Sequence, residues 1–300
     1  SLVELASSAA MGPWSASDRS RTQQGFRYDY LDREKERLVR QIPDKAGVVA
    51  SFQFLAPLSN RRELYSYHFV HNGMYTGHTM NQRPFSLPAS VSRLLVDVND
   101  TLIFRDYYRP DSWMNLDRCV RDGGFEVEDF VETFVLLGKN GSTGLWLYRT
   151  QTNAPLVASP QAPLATVAGD IQLLGCTAAP TDRPEVQEFT FLWQCVRPTS
   201  RDICAFIDLV DPEGRLYLRK FHPLGYRIHP TQSWQQGETV TERVRLVAHR
   251  GQRRSLWAQD GLLRLRHRRV VPAGGARRRR QGGPHSPDPG RRDQVDQARW

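Results

Sequence analysis

Residues 188–210, EFTFLWQCVRPTSRDICAFIDLV, decide the fold class of this chain. In the first nine of them, large apolar side chains recur at every second position: Phe189, Phe191, Trp193 and Cys195. Successive side chains of a β-strand point to opposite faces, so this period of two predicts a strand with one buried face. After the turn at 197–202, residues 203–210 predict a second strand of the same kind.

The flanking sequence continues this pattern in both directions. Further strands are predicted at 170–175, 215–221 and 239–247, and the turns at 211–214 and 236–238 contain Gly or Pro. Short strands at this spacing predict an antiparallel β-sandwich. A sandwich should continue with another pair of strands after Val247. The alternating pattern stops there, so we predict that the sandwich is incomplete.

The residues before position 150 follow a different pattern, which predicts a small α/β domain. Apolar residues at helical spacing, turn residues and short apolar runs indicate these elements. The predicted elements are a helix at 31–42, strands at 47–54, 63–67 and 93–98, a short helix at 111–122, and a hairpin of 125–137 with 145–149 through the turn 138–144.

The fold class that follows is an α+β chain of two domains joined by a linker rich in Pro, Ala and Thr. The predicted segments are 1–29 (disordered or linker), 30–150 (small α/β domain), 151–168 (linker), 169–247 (truncated β-sandwich) and 248–300 (disordered basic tail).

The positive charge of the chain is concentrated in its last 53 residues. The whole chain carries a net charge of +9, whereas residues 248–300 contain 14 arginines, no lysine and four aspartates. The body is therefore close to neutral. Three interpretations remain open for the tail: a basic arm that binds nucleic acid or anionic lipid, an inert tail, and translation in the wrong reading frame. We favour the third, because a one-base shift across 256–275 permits a peptide with the alternation of the missing hairpin.

Several functional classes lack their usual signals in this sequence. No run approaches the roughly 20 apolar residues of a membrane-spanning helix, and residues 1–12 do not resemble a signal peptide. The chain begins with Ser rather than Met, and we expect it to be a fragment. Its cysteines form no Cys-x-x-Cys pair, and no Gly-x-Ser-x-Gly, phosphate-loop or His-Glu-x-x-His motif occurs. We therefore expect no catalytic residue and no cofactor here.

Polar residues at two places are candidates for ligand binding. Asn60, Arg61 and Arg62 have the chemistry to recognise a phosphate or carboxylate, although a polar turn before a strand explains them as well. Asp97 ends a predicted central strand, where α/β folds place functional groups. Its alternative role is to cap the turn that leads into Asn99.

Three histidines, His68, His71 and His78, are close enough in sequence to be candidate metal ligands. The alternative, which we favour, is a loop-rich segment with histidines present by chance. The carboxylates at 126, 128, 129 and 132 alternate with apolar residues, which indicates a solvated strand face rather than an acid/base pair.

Aromatic residues of the second domain are candidates for stacking on a sugar. Trp193 is expected in the core, and Trp234 is expected to be more exposed, either as a loop anchor or as part of a platform with Tyr217 and Tyr226. Cys195 and Cys204 flank a predicted turn. They are candidates for a disulfide if the strand register suits.

Two stretches resemble known bacterial proteins. The segment IPDKAGVVASFQFLAPLSNRRELYSY (42–67), followed by RLLVDV (93–98), resembles the C-terminal soluble region of a family of predicted polytopic membrane proteins of unknown function. The matching positions are Pro43, Val48 to Ser51, Leu58 to Tyr65, and Asp97, while Pro57 replaces a histidine that is frequent in that family. Residues 170–246 are similar to a β-sandwich appended to membrane glycosyltransferase-like proteins that resemble enzymes using polyprenyl-phosphate-linked sugars.

This resemblance implies an extracytoplasmic accessory region of a bacterial membrane glycosyltransferase-like protein. In such transferases the catalytic carboxylate lies in an upstream transmembrane bundle, so this fragment would be non-catalytic. The implied partners are that bundle and a glycan or lipid-linked sugar, and no nucleic acid is expected. Two alternatives remain: a stand-alone carbohydrate-binding or interaction module, and a basic protein that binds nucleic acid through the Arg-rich tail.

Overall fold

The computed structural model describes residues 29–75, 83–104, 112–139, 141, 143–152, 163–167, 169–210 and 216–247, together with the backbone of 262–269 and 296–299. Of Val210, Tyr217 and Leu218 it describes the backbone only. The described chain forms helices, one mixed sheet and two antiparallel sheets. The prediction of an α+β fold is confirmed.

The described residues of the N-terminal half form four α-helices and five strands. They are α1 (Tyr30–Arg40), β1 (Gly47–Ala50), α2 (Phe52–Leu55), β2 (Leu64–Ser66), α3 (Tyr67–Asn72), β3 (Val91–Asp97), α4 (Asn115–Asp122), β4 (Phe125–Val131) and β5 (Phe134–Lys139). A capping box starts α1, because the Asp29 carboxylate accepts from the Asp32 amide and the Asp32 carboxylate accepts from the Asp29 amide. The helix buries Tyr30 and Leu38 against the sheet.

The mixed sheet has the strand order β2-β1-β3-β5-β4. Strand β1 lies between β2 and β3 and is parallel to both, whereas β5 runs antiparallel to β3. The connections to β2 and β3 therefore lead to opposite sides of β1. This is a topological switch point, the position at which open α/β sheets bind ligands outside the carboxyl ends of their strands.

The C-terminal half is a β-sandwich. Its strands are β6 (Tyr148–Gln151), β7 (Ala165–Val167), β8 (Ile171–Pro180), β9 (Val186–Cys195), β10 (Ile203–Val210), β11 (Leu216–Pro223), β12 (Thr239–Val247), β13 (Leu262–Arg269) and β14 (Asp296–Arg299). One sheet has the order β6-β12-β9-β8-β7 and the other β11-β10-β13-β14. Phe189, Phe191, Trp193 and Cys195 are all buried in the core between them, as their alternation predicts.

The predicted hairpin of 125–137 with 145–149 is wrong. Strand β4 instead pairs with β5 through a two-residue turn at Glu132 and Thr133, and β6 pairs with β12 of the sandwich. Glu132 has a φ of 53°, the left-handed conformation that suits the twist of a tight hairpin. Its carboxylate offsets the strain by accepting from the Val247 amide at 3.1 Å and pairing with Lys220 at 2.8 Å.

The strand predicted over 47–54 ends early, at Ala50, because α2 begins at Phe52. The predicted linker contributes strand β7, which pairs with Ile171–Leu173. Within the predicted disordered tail, β13 pairs with the whole of β10 and so extends the sheet that we expected to be incomplete. Residues 262–269, LLRLRHRR, alternate Leu with Arg at their centre, which suits a strand. The out-of-frame origin of this segment stays a prediction, and the rest of 248–300 lies outside the described residues.

Cys195 and Cys204 do not face each other, so the disulfide interpretation is wrong. Cys195 on β9 pairs with Ile171, and Cys204 on β10 pairs with Pro223, in different sheets. Both thiols are free. The segment between β9 and β10 crosses from one layer of the sandwich to the other, a connection that alternation along each strand cannot distinguish from a hairpin.

The two halves of the chain share packed clusters. Tyr226 and Ile228 of the sandwich lie in the core of the mixed sheet, and Val186 and Val247 pack in the cluster beneath α1.

The four carboxylates predicted to form a solvated face are mostly covered: only Glu126 is exposed. Glu128 pairs with Arg93 at 2.8 Å, while Asp129 and Glu132 are buried and paired with arginine or lysine. The sandwich and α1 cover this edge of the sheet.

Candidate functional site

The carboxyl ends of β1 and β3 meet at the switch point and form the carboxyl-edge site, which we define as Ser51, Phe52, Gln53, Asp97, Asn99 and Thr133. Ser51, fully buried, follows β1, and Asp97 ends β3. The Ser51 amide donates to the Leu95 carbonyl at 3.0 Å, and the Ser51 hydroxyl accepts from the Asp97 amide at 2.9 Å. These bonds fix the two strand ends to each other.

The Asp97 carboxylate is the centre of this site. Its Oδ1 accepts from the Thr133 hydroxyl at 2.7 Å and the Asn99 amide at 2.9 Å, and its Oδ2 accepts from the Gln53 side-chain amide at 2.7 Å. Burial raises the pKa of Asp97 and the charge of Asp100 raises it further, while these hydrogen bonds lower it, and the net shift is upward. Asp97 thus ends the central strand and also caps the following turn, as the alternative interpretation predicts, while its role in ligand binding stays a prediction.

Phe52, which precedes Gln53 in the sequence, has an exposed aromatic ring. Phe52 is 42% exposed, which is unusual for a phenylalanine, and its ring centroid lies 5.9 Å from that of His68 on α3. The next residue, Gln53, is also exposed, and its amide reaches Asp97. An exposed apolar ring on the residue before Gln53, whose amide bonds the Asp97 carboxylate, supplies the chemistry to bind a ligand with one apolar face and several hydroxyls.

The structure does not bring the arginine candidates to the carboxyl-edge site. Arg61 donates to the carbonyls of Ile42 and Pro43, which precede β1, so its guanidinium lies at the opposite edge of the sheet. Its geometry is that of a residue that holds the end of α1 in place. Asn60 and Arg62 are exposed near the same turn. A ligand-binding role for the three residues stays a prediction.

The predicted histidine group is divided. His71 is buried, and its Nε2 lies 3.3 Å from the Ser112 hydroxyl, whereas His68 is partly exposed beside Phe52. His78 lies outside the described residues. Across the described ranges, no group of three His, Cys, Asp or Glu side chains is arranged to hold a metal ion.

His71 gives a pH dependence that can be measured. Burial, followed by the nearby charges of Arg227 and His68, lowers the pKa of His71 to about 3. An unfolded chain protonates this histidine near pH 6.5, and the folded chain resists protonation until about pH 3, so stability is present above pH 6.5 and is lost as the pH falls. We expect the free energy of unfolding to decline by up to about 1.4 kcal/mol per pH unit through this group.

The measurement is urea denaturation at pH 7.0, 6.0 and 5.0 on the natural chain and on a His71→Phe variant. The free energy of unfolding of the His71→Phe variant should lack the part of the pH dependence that comes from this histidine. Equal slopes for the two proteins would contradict the assignment of the pH dependence to His71.

The candidate sandwich aromatics whose side chains are described, Trp193, Trp234 and Tyr226, are buried and do not form a sugar platform. The expectation that Trp234 is exposed is wrong: it is 2% exposed, and its Nε1 donates to the His229 carbonyl at 2.9 Å. It therefore anchors its loop. Tyr226 is fully buried, and Trp193 lies in the core as predicted. The Tyr217 side chain lies outside the described atoms.

A Ser-His-Glu grouping that the sequence did not suggest lies in the loop before β12. The His229 Nε2 lies 2.7 Å from a Glu238 carboxylate oxygen, and the Ser233 hydroxyl lies 3.5 Å from the His229 Nδ1. Burial raises the pKa of Glu238, but hydrogen bonds from His229 and the Gln235 amide bring it below its usual range.

This grouping lacks the features of a nucleophilic site. The Ser233 hydroxyl donates to the Pro230 carbonyl at 2.7 Å rather than to the histidine. The next two amides, of Trp234 and Gln235, are bonded to Thr231 and Glu238, so neither can stabilise an oxyanion. These hydrogen bonds hold the loop in its conformation.

Sequence reasoning found Asp97 but missed Phe52, Gln53 and Thr133. The first two were assigned to a continuous strand, and Thr133 to the body of a longer strand. The available signal was the polar pair Ser51 and Gln53 inside an otherwise apolar run, which marks the point where the strand ends.

Comparison with known proteins adds no family assignment, because no protein-family model and no curated protein matches the chain. Among the described helices, none has the length and apolar character to cross a membrane.

Proposed function

We propose that this chain is a non-catalytic accessory region that binds a glycan at the carboxyl-edge site. The observation that carries the proposal is the combination of an exposed Phe52 ring with the Gln53 amide and the Asp97 carboxylate at the switch point. A pyranose ring has an apolar C–H face that stacks on an aromatic ring and hydroxyls that bond to carboxylates and amides.

The parent protein that we propose is a bacterial membrane glycosyltransferase-like protein, with this region on the extracytoplasmic side. This part of the proposal rests on the similarity of 170–246 to a β-sandwich appended to membrane glycosyltransferase-like proteins, and on the resemblance of 42–67 and 93–98 to the C-terminal soluble region of predicted polytopic membrane proteins of unknown function. The latter two segments contain Ser51, Phe52, Gln53 and Asp97. The partner would be a glycan or a lipid-linked sugar.

The test is isothermal titration calorimetry of the purified chain with cello-, malto- and chito-oligosaccharides. At least one of these neutral sugars should bind. Phe52→Ala and Asp97→Asn should each weaken that binding about tenfold or more, since the first removes the stacking ring and the second weakens a hydrogen bond to a charged group, which contributes about 1.5–3 kcal/mol. Asn retains an oxygen that can accept from Thr133, so this variant should still fold.

The matched control is Leu216→Ala, which removes another exposed apolar side chain, 52% exposed, on β11 of the sandwich. Its affinity should equal that of the natural chain. Absence of binding to the whole panel, or unchanged affinity in both site variants, would show that the carboxyl-edge site does not bind a glycan.

A further inference from the structure

A buried arginine of the sandwich reaches the turn that follows Asp97. Arg227 lies just after β11, 129 positions along the chain from Val98, and its Nη1 donates to the Val98 carbonyl at 2.6 Å. Its side chain is only 9% exposed. The contact therefore joins the second half of the chain to the carboxyl-edge site.

The guanidinium group is held from several directions. Its Nε and Nη2 lie 2.8 and 2.6 Å from a carboxylate oxygen of Asp202, at the start of β10. The same group lies over the ring of Phe104, with its central carbon 4.5 Å from the ring centroid. A planar guanidinium can make all these contacts at once, which a lysine cannot.

The backbone at Arg227 has a strained conformation. Gly225, Tyr226 and Arg227 have φ values of 66°, 55° and 51°, three consecutive residues in the left-handed region. Only glycine adopts that conformation without cost. Tyr226 offsets the strain, because its ring is fully buried near Phe130 and its hydroxyl donates to the Arg243 carbonyl at 2.7 Å.

The segment that Arg227 holds also orients the Asp97 carboxylate. The Val98 amide donates to the Thr133 carbonyl at 2.9 Å, the Asn99 amide donates to the Asp97 carboxylate at 2.9 Å, and the Asp100 amide donates to the Asp97 carbonyl at 3.1 Å. Arg227 bonds the Val98 carbonyl, which belongs to the same peptide group as the Asn99 amide. Release of that carbonyl would free the turn on which Asp97 depends.

We propose that Arg227 is a positioning residue for the carboxyl-edge site, through which the sandwich fixes the turn at Val98–Asp100 and presents Asp97 to a ligand. The effect on affinity rests on the proposed function, whereas the effect on the turn does not. The sandwich is then a part of the binding site, rather than a separate module on a linker.

The experiment compares amide hydrogen exchange in the full chain and in Arg227→Met, which keeps the length of the side chain and removes its hydrogen bonds. The amides of Asn99 and Asp100 should exchange about tenfold faster or more, since a charge-assisted hydrogen bond is lost, while those of Val135 and Leu136 in β5 should change much less. The affinity for the best oligosaccharide of the panel should fall by a similar factor.

The matched control is Arg219→Met. Arg219 also pairs with a buried aspartate, Asp208, at 2.6 and 2.7 Å and lies over a phenylalanine ring, but within the sandwich. It should leave exchange at Asn99 and Asp100 unchanged. If Arg227→Met does not fold, Arg227→Lys is measured in the same way. Lysine keeps a positive charge near Asp202 but lacks the planar set of donors of the guanidinium group.

Exchange at Asn99 and Asp100 that stays at its natural rate in a folded Arg227 variant would overturn the proposal. If no sugar binds the natural chain, the glycan proposal fails, and the exchange result still decides the role of Arg227.

Discussion

Replacing Glu242 with alanine is expected to lower the free energy of unfolding by about 3–5 kcal/mol, because it leaves several buried polar groups without partners. Glu242 is fully buried between the two sheets. One carboxylate oxygen accepts from the Gly225 amide at 2.8 Å and lies 3.0 Å from the His222 Nε2, and the other accepts from the Trp193 indole at 3.1 Å. This carboxylate thus joins the sandwich core to the left-handed turn that carries Arg227.

Urea denaturation followed by tryptophan fluorescence measures this change as a shift of the midpoint. The control is Glu126→Ala, an exposed carboxylate on β4, which should change stability by no more than about 0.5 kcal/mol. A Glu242→Ala variant with the stability of that control would contradict the network.

Replacing Asp202 with alanine is expected to cost about 3–5 kcal/mol as well, for a different reason. The variant leaves the charge of Arg227 buried without its carboxylate, since Arg227 has no other acidic partner among the described side chains. The double variant Asp202→Ala/Arg227→Met removes that charge and should regain part of the loss.

The matched control for Asp202 is Asp182→Ala. Asp182 also pairs with an arginine, Arg183, at 3.8 Å, but its side chain is 92% exposed, so little change is expected. If the two alanine variants unfold at the same urea concentration, the buried pair does not contribute as argued.

Strands β8 to β12 of the sandwich could be predicted from the sequence because each carries its own signal, whereas β7 and β13 lie in the predicted linker and tail. Phe189, Phe191 and Trp193 alternate within one strand, and the turn residues at 236–238 mark the start of β12 without reference to any distant contact. The partner of β6 carries no such signal. Strand β6 pairs with β12, about 90 positions further along the chain. The local pattern of residues 145–149 predicts only a hairpin with the strand nearest in sequence.

The carboxyl-edge site could be predicted only in part for the same reason. Asp97 was found because it ends an apolar run. The pattern of residues 47–54 predicts one continuous strand. In the structure, the hydrogen bonds of Ser51 with Leu95 and Asp97 of β3 end that strand at Ala50. That tertiary contact overrides the local preference, and it exposes Phe52 and Gln53.

Arg227 could not be assigned from the sequence at all. It is one arginine among many, and nothing in the segment HPLGYRIHP indicates a left-handed turn at Tyr226 and Arg227. Glycine would signal such a turn, but only the first of the three residues is glycine. The conformation is stable because the burial of Tyr226 and the Arg227–Asp202 pair offset its strain.

The most direct test of the glycan-binding proposal is a map of chemical-shift changes in nitrogen-15 NMR spectra as oligosaccharide is added to the natural chain. The predicted result is that the largest changes fall on the Gln53 side-chain amide and the backbone amides of Phe52 and Asn99, while the Trp234 indole signal stays in place. Changes centred on the Trp234 loop, or no changes with any sugar of the panel, would contradict it.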